Sequence, residues 1–223
     1  MTRRSSLVAA SALAATLLAA CGAMGPSTPQ GGMSFFVTSA NPGKGADFGG
    51  LAGADRYCQS LAASAGAGSR TWRAYLSASA MPGSPSVDAR DRIGAGPWRN
   101  VKGDVIATSV ANLHSDTNNL TKQTALTEKG TGISGRGDPV NLHDMLTGSS
   151  PDGRAVNDGK DNTCGNWTKS GDGSALVGHH DRMGLRDDAP SKSWNSSHPT
   201  QGCSLDALKK TGGGGLLYCF AQN

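Results

Sequence analysis

The densest run of chemically capable side chains is His179-His180-Asp181, and His198 follows in the same stretch. Neighbouring imidazoles and a carboxylate can ligate a transition metal or exchange protons, provided that a further ligand or a nucleophile meets them. Adjacent residues on a strand point to opposite faces, so His179 and His180 diverge if the run is extended. The expectation is one histidine hydrogen-bonded inside and one at a loop rim, with no metal, no cofactor and no catalytic residue assigned. His114 and His143 carry the same ambiguity. Asp138-Pro139 and Asp158-Gly159-Lys160-Asp161-Asn162 offer hard oxygens, but runs of this composition build turns, and we assign no calcium site. No serine sits in a nucleophile elbow, no HExxH or CxxC occurs, and the glycine runs lack a P-loop lysine.

Trp167 and Trp194, each beside an asparagine (Asn166 and Asn195), suit a contact surface. Tryptophan offers a flat apolar face with one donor, which fits a sugar ring or a partner protein. Trp167 reads as core, whereas Trp194, preceded by Lys192 and Ser193, reads as exposed. The candidate binding surface is therefore Asn166, Trp167, His179, His180, Asp181, Trp194, Asn195 and His198.

These groups need elements to position them. Ser34 to Thr38 is a short β-rich run ended by Asn41-Pro42-Gly43. Leu51, Ala54, Cys58, Leu61, Ala62 and Ala65 recur at helical spacing before Gly66, which predicts an amphipathic helix with Cys58 on its buried face. Thr71 to Ser77 alternates Trp72, Ala74 and Leu76 against Arg73 and Tyr75, the period of a half-buried strand. Residues 78–163 show two weak apolar islands, Val101 to Leu113 and Val140 to Leu146, too weak to place elements. Leu216 to Ala221 is apolar on both faces, as a central strand would be, with Gly212 to Gly215 read as the turn before it.

The N-terminus carries an address. Arg3 and Arg4 precede an uncharged Ala/Leu-rich run from Leu7 to Ala20, too short to span a bilayer. It ends in Leu18-Ala19-Ala20-Cys21-Gly22, which resembles the bacterial lipobox, where the cysteine after the cleaved signal receives a diacylglycerol. Residues 1–20 then form a lipoprotein signal, 21–33 a lipidated flexible tether, and 34–223 the folded domain. Gly22 lacks the acidic character of an inner-membrane retention signal, which points to the outer membrane or cell surface. Setting Cys21 aside leaves Cys58, Cys164, Cys203 and Cys219, an even set in an oxidising compartment. Four cysteines allow three connectivities; packing the predicted helix on the C-terminal strand weights them toward Cys58 with Cys219, without choosing. The net charge of +4 includes two N-terminal arginines, and no basic stripe is present, so nucleic acid is not an expected partner.

A resemblance gathers these motifs. Gly49-Gly50-Leu51-Ala52-Gly53-Ala54-Asp55-Arg56-Tyr57-Cys58 followed by Thr71-Trp72-Arg73-Ala74-Tyr75-Leu76-Ser77 is similar to the start of an endostatin domain, a member of the C-type lectin-like fold. His143-Asp144-Met145-Leu146-Thr147-Gly148-Ser149 with Asp152-Gly153-Arg154, then Cys164 to Thr168, Gly202-Cys203-Ser204 and Tyr218 to Ala221, follow in the same order across about residues 34–222. The resemblance implies an α+β domain of short twisted antiparallel strands, one or two helices and long loops. It also implies two nested disulfides, Cys58 with Cys219 outside Cys164 with Cys203. It further suggests the role of bacterial endostatin-like surface lipoproteins, which bind extracellular matrix or serum proteins. Endostatin's N-terminal histidine-rich zinc site has no counterpart between Gly22 and Ser34, its heparin-binding arginine clusters are missing, and the calcium-lectin Pro loop is absent although Trp194-Asn195-Ser196 is present. The expected function is a lipid-anchored envelope module that binds an extracellular protein or glycan, chiefly through the loops between Cys164 and Cys203. The alternatives are a metal-dependent hydrolase using His179, His180 and Asp181, or a structural envelope component.

Overall fold

The computed structural model describes residues 1–2 and 32–222. Arg3, Arg4, the apolar run, Cys21 and nearly all of the tether lie outside the described residues. No helix among the described residues is long and apolar enough to cross a membrane.

The fold is α+β with two disulfides. In chain order the elements are β1 (Phe35–Val37), α1 (Gly50–Ser64), β2 (Thr71–Ala74), β3 (Trp98–Arg99), β4 (Val105–Ala107), α2 (Val110–Leu113), β5 (Asp144–Leu146), α3 (Cys164–Trp167), β6 (Leu176–His179), β7 (His198–Pro199), α4 (Leu205–Thr211) and β8 (Gly213–Gln222). The organising element is β8. On one edge it pairs antiparallel with β1 (Phe36 opposite Cys219); on the other its C-terminal half meets β2 antiparallel and its N-terminal half meets β5 in parallel. The sheet continues through β6 to β7, while β3 and β4 form a separate ribbon. The first, second and last predicted strands and the long helix are all present. Gly213 to Gly215, read from sequence as a turn, belong to β8, because β5 offers them a backbone partner at Gly213.

Period-two alternation along β8 splits the core. Leu217, Cys219 and Ala221 face α1, where Cys58, Ala54, Ala62, Trp72, Phe36 and Trp167 are buried. Leu216, Tyr218 and Phe220 face Tyr75, Trp98, Ile106, Met145 and Trp194 on the other side. Both layers are closed to water, which explains the unbroken apolar run in a strand covered on both faces. Cys58 is bonded to Cys219 and Cys164 to Cys203, the nested pattern, with Cα separations of 5.6 and 5.7 Å. The outer bridge ties α1 to the middle of β8. The inner one ties α3, a single turn whose four residues all have positive φ, to the segment ahead of α4.

The segment from Arg182 to Ser197 folds over the β6–β7 end of the sheet. The main chain at Trp194 packs directly on β6: a Cβ added at Gly178 would lie 1.9 Å from the Trp194 carbonyl oxygen, so only glycine permits this approach.

Candidate metal centre

Three neighbouring strands converge at one end of the sheet. Asp144 opens β5 and stands directly opposite His179 at the end of β6, while β7 places His198 beside them, in register with Val177. His143, immediately before β5, stacks its ring on that of His179, with centroids 4.1 Å apart. Asp144 Oδ1 lies 3.2 Å from His143 Nε2, 3.3 Å from His179 Nε2 and 3.6 Å from His198 Nε2. The two imidazole nitrogens of His179 and His198 are 3.0 Å apart. The donor atoms of His143, Asp144 and His179 all fall within 4.8 Å of one another, and these three residues are buried. His198 is the outermost, its side chain 36% exposed. At Gly212, where φ is +130°, the backbone passes so close that a Cβ would sit 3.3 Å from both Asp144 Oδ2 and His143 Nε2.

The hydrogen bonds behind the rings fix what the cluster offers. His143 Nδ1 faces Asp181 Oδ1 at 3.2 Å, His179 Nδ1 faces the Ser191 carbonyl at 2.8 Å, and His198 Nδ1 faces the Pro199 carbonyl at 3.1 Å. Each of these oxygens accepts, so each ring, when neutral, carries its proton on Nδ1 and turns its Nε2 lone pair inward. Asp144 is the reverse of a satisfied carboxylate: its buried oxygens have no donor apart from the imidazoles, which it faces at 3.2 to 3.6 Å. Lone pairs from His143, His179 and the Asp144 carboxylate thus meet within 4.8 Å, with His198 Nε2 at their edge, an arrangement that is costly unless a proton or a metal cation sits among them.

Asp181 is built to support rather than to join. Its carboxylate takes the amides of Arg136 (2.6 Å) and Met183 (3.1 Å) as well as His143 Nδ1. Burial opposes its ionisation, but the hydrogen bonds from His143 and the two amides prevail and hold its pKa well below the usual carboxylate range. Burial likewise disfavours the His179 imidazolium, yet the facing Asp144 carboxylate and the Ser191 carbonyl outweigh it and raise the pKa. His180 behaves differently. It points to the Ser134 carbonyl (3.3 Å), its Nδ1 has no partner, and burial drives its pKa down.

Of the residues singled out from sequence, His179, His198 and Asp181 therefore meet, whereas His180 is directed elsewhere, as strand alternation requires. His143 and Asp144 complete the cluster. The signal that could have found Asp144 is its place next to a histidine in a strand-like apolar island, but its parallel pairing with β8 joins residues far apart in sequence. The remaining candidates are internal fasteners. The Asn166 side chain exchanges hydrogen bonds with the Ser79 backbone, and the Trp167 indole donates to the Ser77 carbonyl at 2.7 Å. Trp194, expected to be exposed, is 4% exposed. Asn195 pulls it inward by donating to Tyr75 Oη and to the Ser150 and Pro151 carbonyls, and its ring packs on Tyr75 and Tyr218. His114 accepts from or donates to Tyr75 Oη at 2.7 Å and faces the Val110 carbonyl with its other nitrogen, so it too is structurally satisfied.

A pocket of about 360 Å³ opens above the cluster, bounded by Arg136, Leu185, Arg186, Ser197, Gln201 and Thr211 among others. No protein-family model matches the chain, and no curated protein matches its sequence.

Proposed function

We propose that His143, Asp144, His179 and His198 hold one zinc ion, and that the domain is a metal-centred binding module displayed outside the cytoplasm. The observation that carries this reading is the buried Asp144 carboxylate, with no donor but imidazoles, facing three imidazole nitrogens at 3.2 to 3.6 Å. A tetrahedral zinc with bonds of about 2.0 to 2.2 Å separates its ligands by roughly 3.3 to 3.6 Å, close to these spacings. Three imidazoles and one carboxylate favour zinc over calcium or magnesium, which prefer oxygen. The backing of His143 by a carboxylate and of the other two rings by carbonyls is the outer shell that metal-binding histidines use. This centre is distinct from the N-terminal histidine site of the endostatin domains that the sequence resembles.

The same proposal places the domain, C-type lectin-like and endostatin-like in form, at the bacterial envelope through a lipid on Cys21, where it meets an extracellular protein or glycan. The even cysteine set paired into two bridges supports an oxidising compartment. Among the described residues that line the pocket the proton acceptors are the cluster's own His143, His179 and His198, which the proposal commits to the ion. We read the site as one for recognition, with metal-dependent hydrolysis as the alternative.

The mature chain purified without chelator should contain one zinc per chain by plasma mass spectrometry, and Asp144→Asn and His179→Ala should each abolish it. A wild-type chain that takes up no stoichiometric transition metal from a zinc-buffered solution would overturn the reading. Mass spectrometry of the N-terminal peptide tests the anchor, which requires diacylglycerol on Cys21.

A further inference from the structure

We propose that the pocket above this centre takes a carboxylate-bearing ligand with an apolar neighbour, and that the carboxylate replaces His198 on the ion. The inference rests on the zinc reading and assigns the ligand class of the same site.

Three features point to it. His198 is the donor made to leave: it sits on a two-residue edge strand, is the only partly exposed member, lies farthest from Asp144, and is backed by the carbonyl of its own neighbour Pro199 rather than by a distant element. His143, Asp144 and His179, buried on or beside central strands, would remain, giving the three protein ligands and one exchangeable position of an open zinc site.

Charge selects a monoanion. The zinc dication and the half-buried Arg136 guanidinium bring three positive charges against the two carboxylates of Asp144 and Asp181, leaving one to be matched. The other charges around the pocket are already paired: Arg186 with Asp188 at 2.6 Å, Lys122 with Asp138 at 2.6 Å, and Lys192 with Asp187. Arg136 has no ion pair among the described residues and lines the pocket, so it can fork onto a carboxylate. A phosphate dianion would exceed the available charge.

The rim then explains an otherwise misplaced side chain. Leu185 is 86% exposed and lines this pocket together with Pro190. An apolar group next to the ligand's carboxylate, as at the C-terminus of a peptide, would cover it.

Cobalt(II) substituted into the full mature chain provides the test, because its visible bands report both occupancy and a change of ligand. N-acetyl-leucine should shift those bands saturably, while its amide and inorganic phosphate should not. Arg136→Ala, judged against its own ligand-free spectrum, should weaken N-acetyl-leucine by about tenfold or more, the value of a lost charge-assisted pair. His198→Ala should still bind cobalt, with its bands shifted by the lost ligand, and bind N-acetyl-leucine at least as tightly as wild type. Failure of cobalt to bind at all would defeat the zinc reading itself. Bound cobalt that ignores N-acetyl-leucine, or that prefers phosphate, would defeat the carboxylate assignment alone.

Discussion

Two aspartates, each almost fully buried, stand at opposite parts of the sheet and are treated in opposite ways. Asp55 on α1 accepts from Arg73 at 2.8 Å, from Arg92 at 2.5 Å and from the Ala74 amide at 3.0 Å, so its charge is neutralised by side chains that the fold itself supplies. Asp144 on β5 is 2% exposed, has no guanidinium, ammonium or amide donor, and faces only imidazoles. One carboxylate fastens a helix to a strand. The other has only imidazoles before it, the feature on which the zinc proposal rests. Burial and charge alone therefore do not mark a site; the decisive feature is whether the surrounding donors have been built or left out.

Breaking the first member of the pair should have the larger effect. Asp55→Ala leaves the largely buried Arg92 guanidinium and the Ala74 amide without their acceptor, while Arg73, 38% exposed, can turn to water, which costs about 3 kcal/mol, the lower end for a broken buried pair. Denaturant unfolding should show this loss with zinc content unchanged, since Asp55 does not belong to the histidine cluster. A loss below about 1 kcal/mol would mean that the two arginines are held by other partners and that Asp55 is no fastener.

The second member responds in the reverse sense and depends on the ion. With free zinc at about one hundred times its dissociation constant, the wild-type chain should gain about 2.7 kcal/mol over the metal-free form. Asp144→Asn should lose that gain entirely. In the metal-free state, however, the same substitution removes a buried charge that the facing imidazoles compensate only in part, and should stabilise the fold by about 1 kcal/mol. Thermal unfolding with and without chelator reads both signs. If Asp144→Asn instead destabilised the metal-free chain as Asp55→Ala does, the contrast between the two sites would be erased.

Much of the first region was legible in sequence, and little of the second. The helical spacing through Cys58, the alternation in Thr71 to Ser77 and the two-sided apolar run at Leu216 to Ala221 are local patterns, and each became the element expected. Their neighbourhood, including the Cys58–Cys219 bridge, follows from packing one amphipathic helix on one central strand. The metal centre needs three strands of two to four residues each, too short to produce a period, and a parallel contact between β5 and β8. That is why His143 looked isolated and Asp144 unremarkable. Trp194 misled for a related reason: its polar neighbours suggested exposure, but Asn195 spends its polarity inward on three acceptors, which no local pattern records.

The alternation that separates His179 from His180 gives the smallest and most specific test. His180 is fully buried, has a nitrogen without a partner and has a depressed pKa because burial penalises its charged form. The unfolded chain takes up a proton near the ordinary histidine value of about 6.5, whereas the folded chain resists it until lower pH. In that window the unfolded state binds more protons, so stability falls as pH falls. His179 works the other way in the metal-free chain: its raised pKa contributes stability below the unfolded value that is lost as pH rises through the folded one. Replacing His180 isolates its own share. His180→Gln in chelator should lose less stability than wild type between about pH 7.5 and about pH 5.5, the sign set by linkage. Equal losses in the two proteins would show that His180 charges as readily folded as unfolded, and that the sheet does not divide the two histidines into a ligand and a core residue.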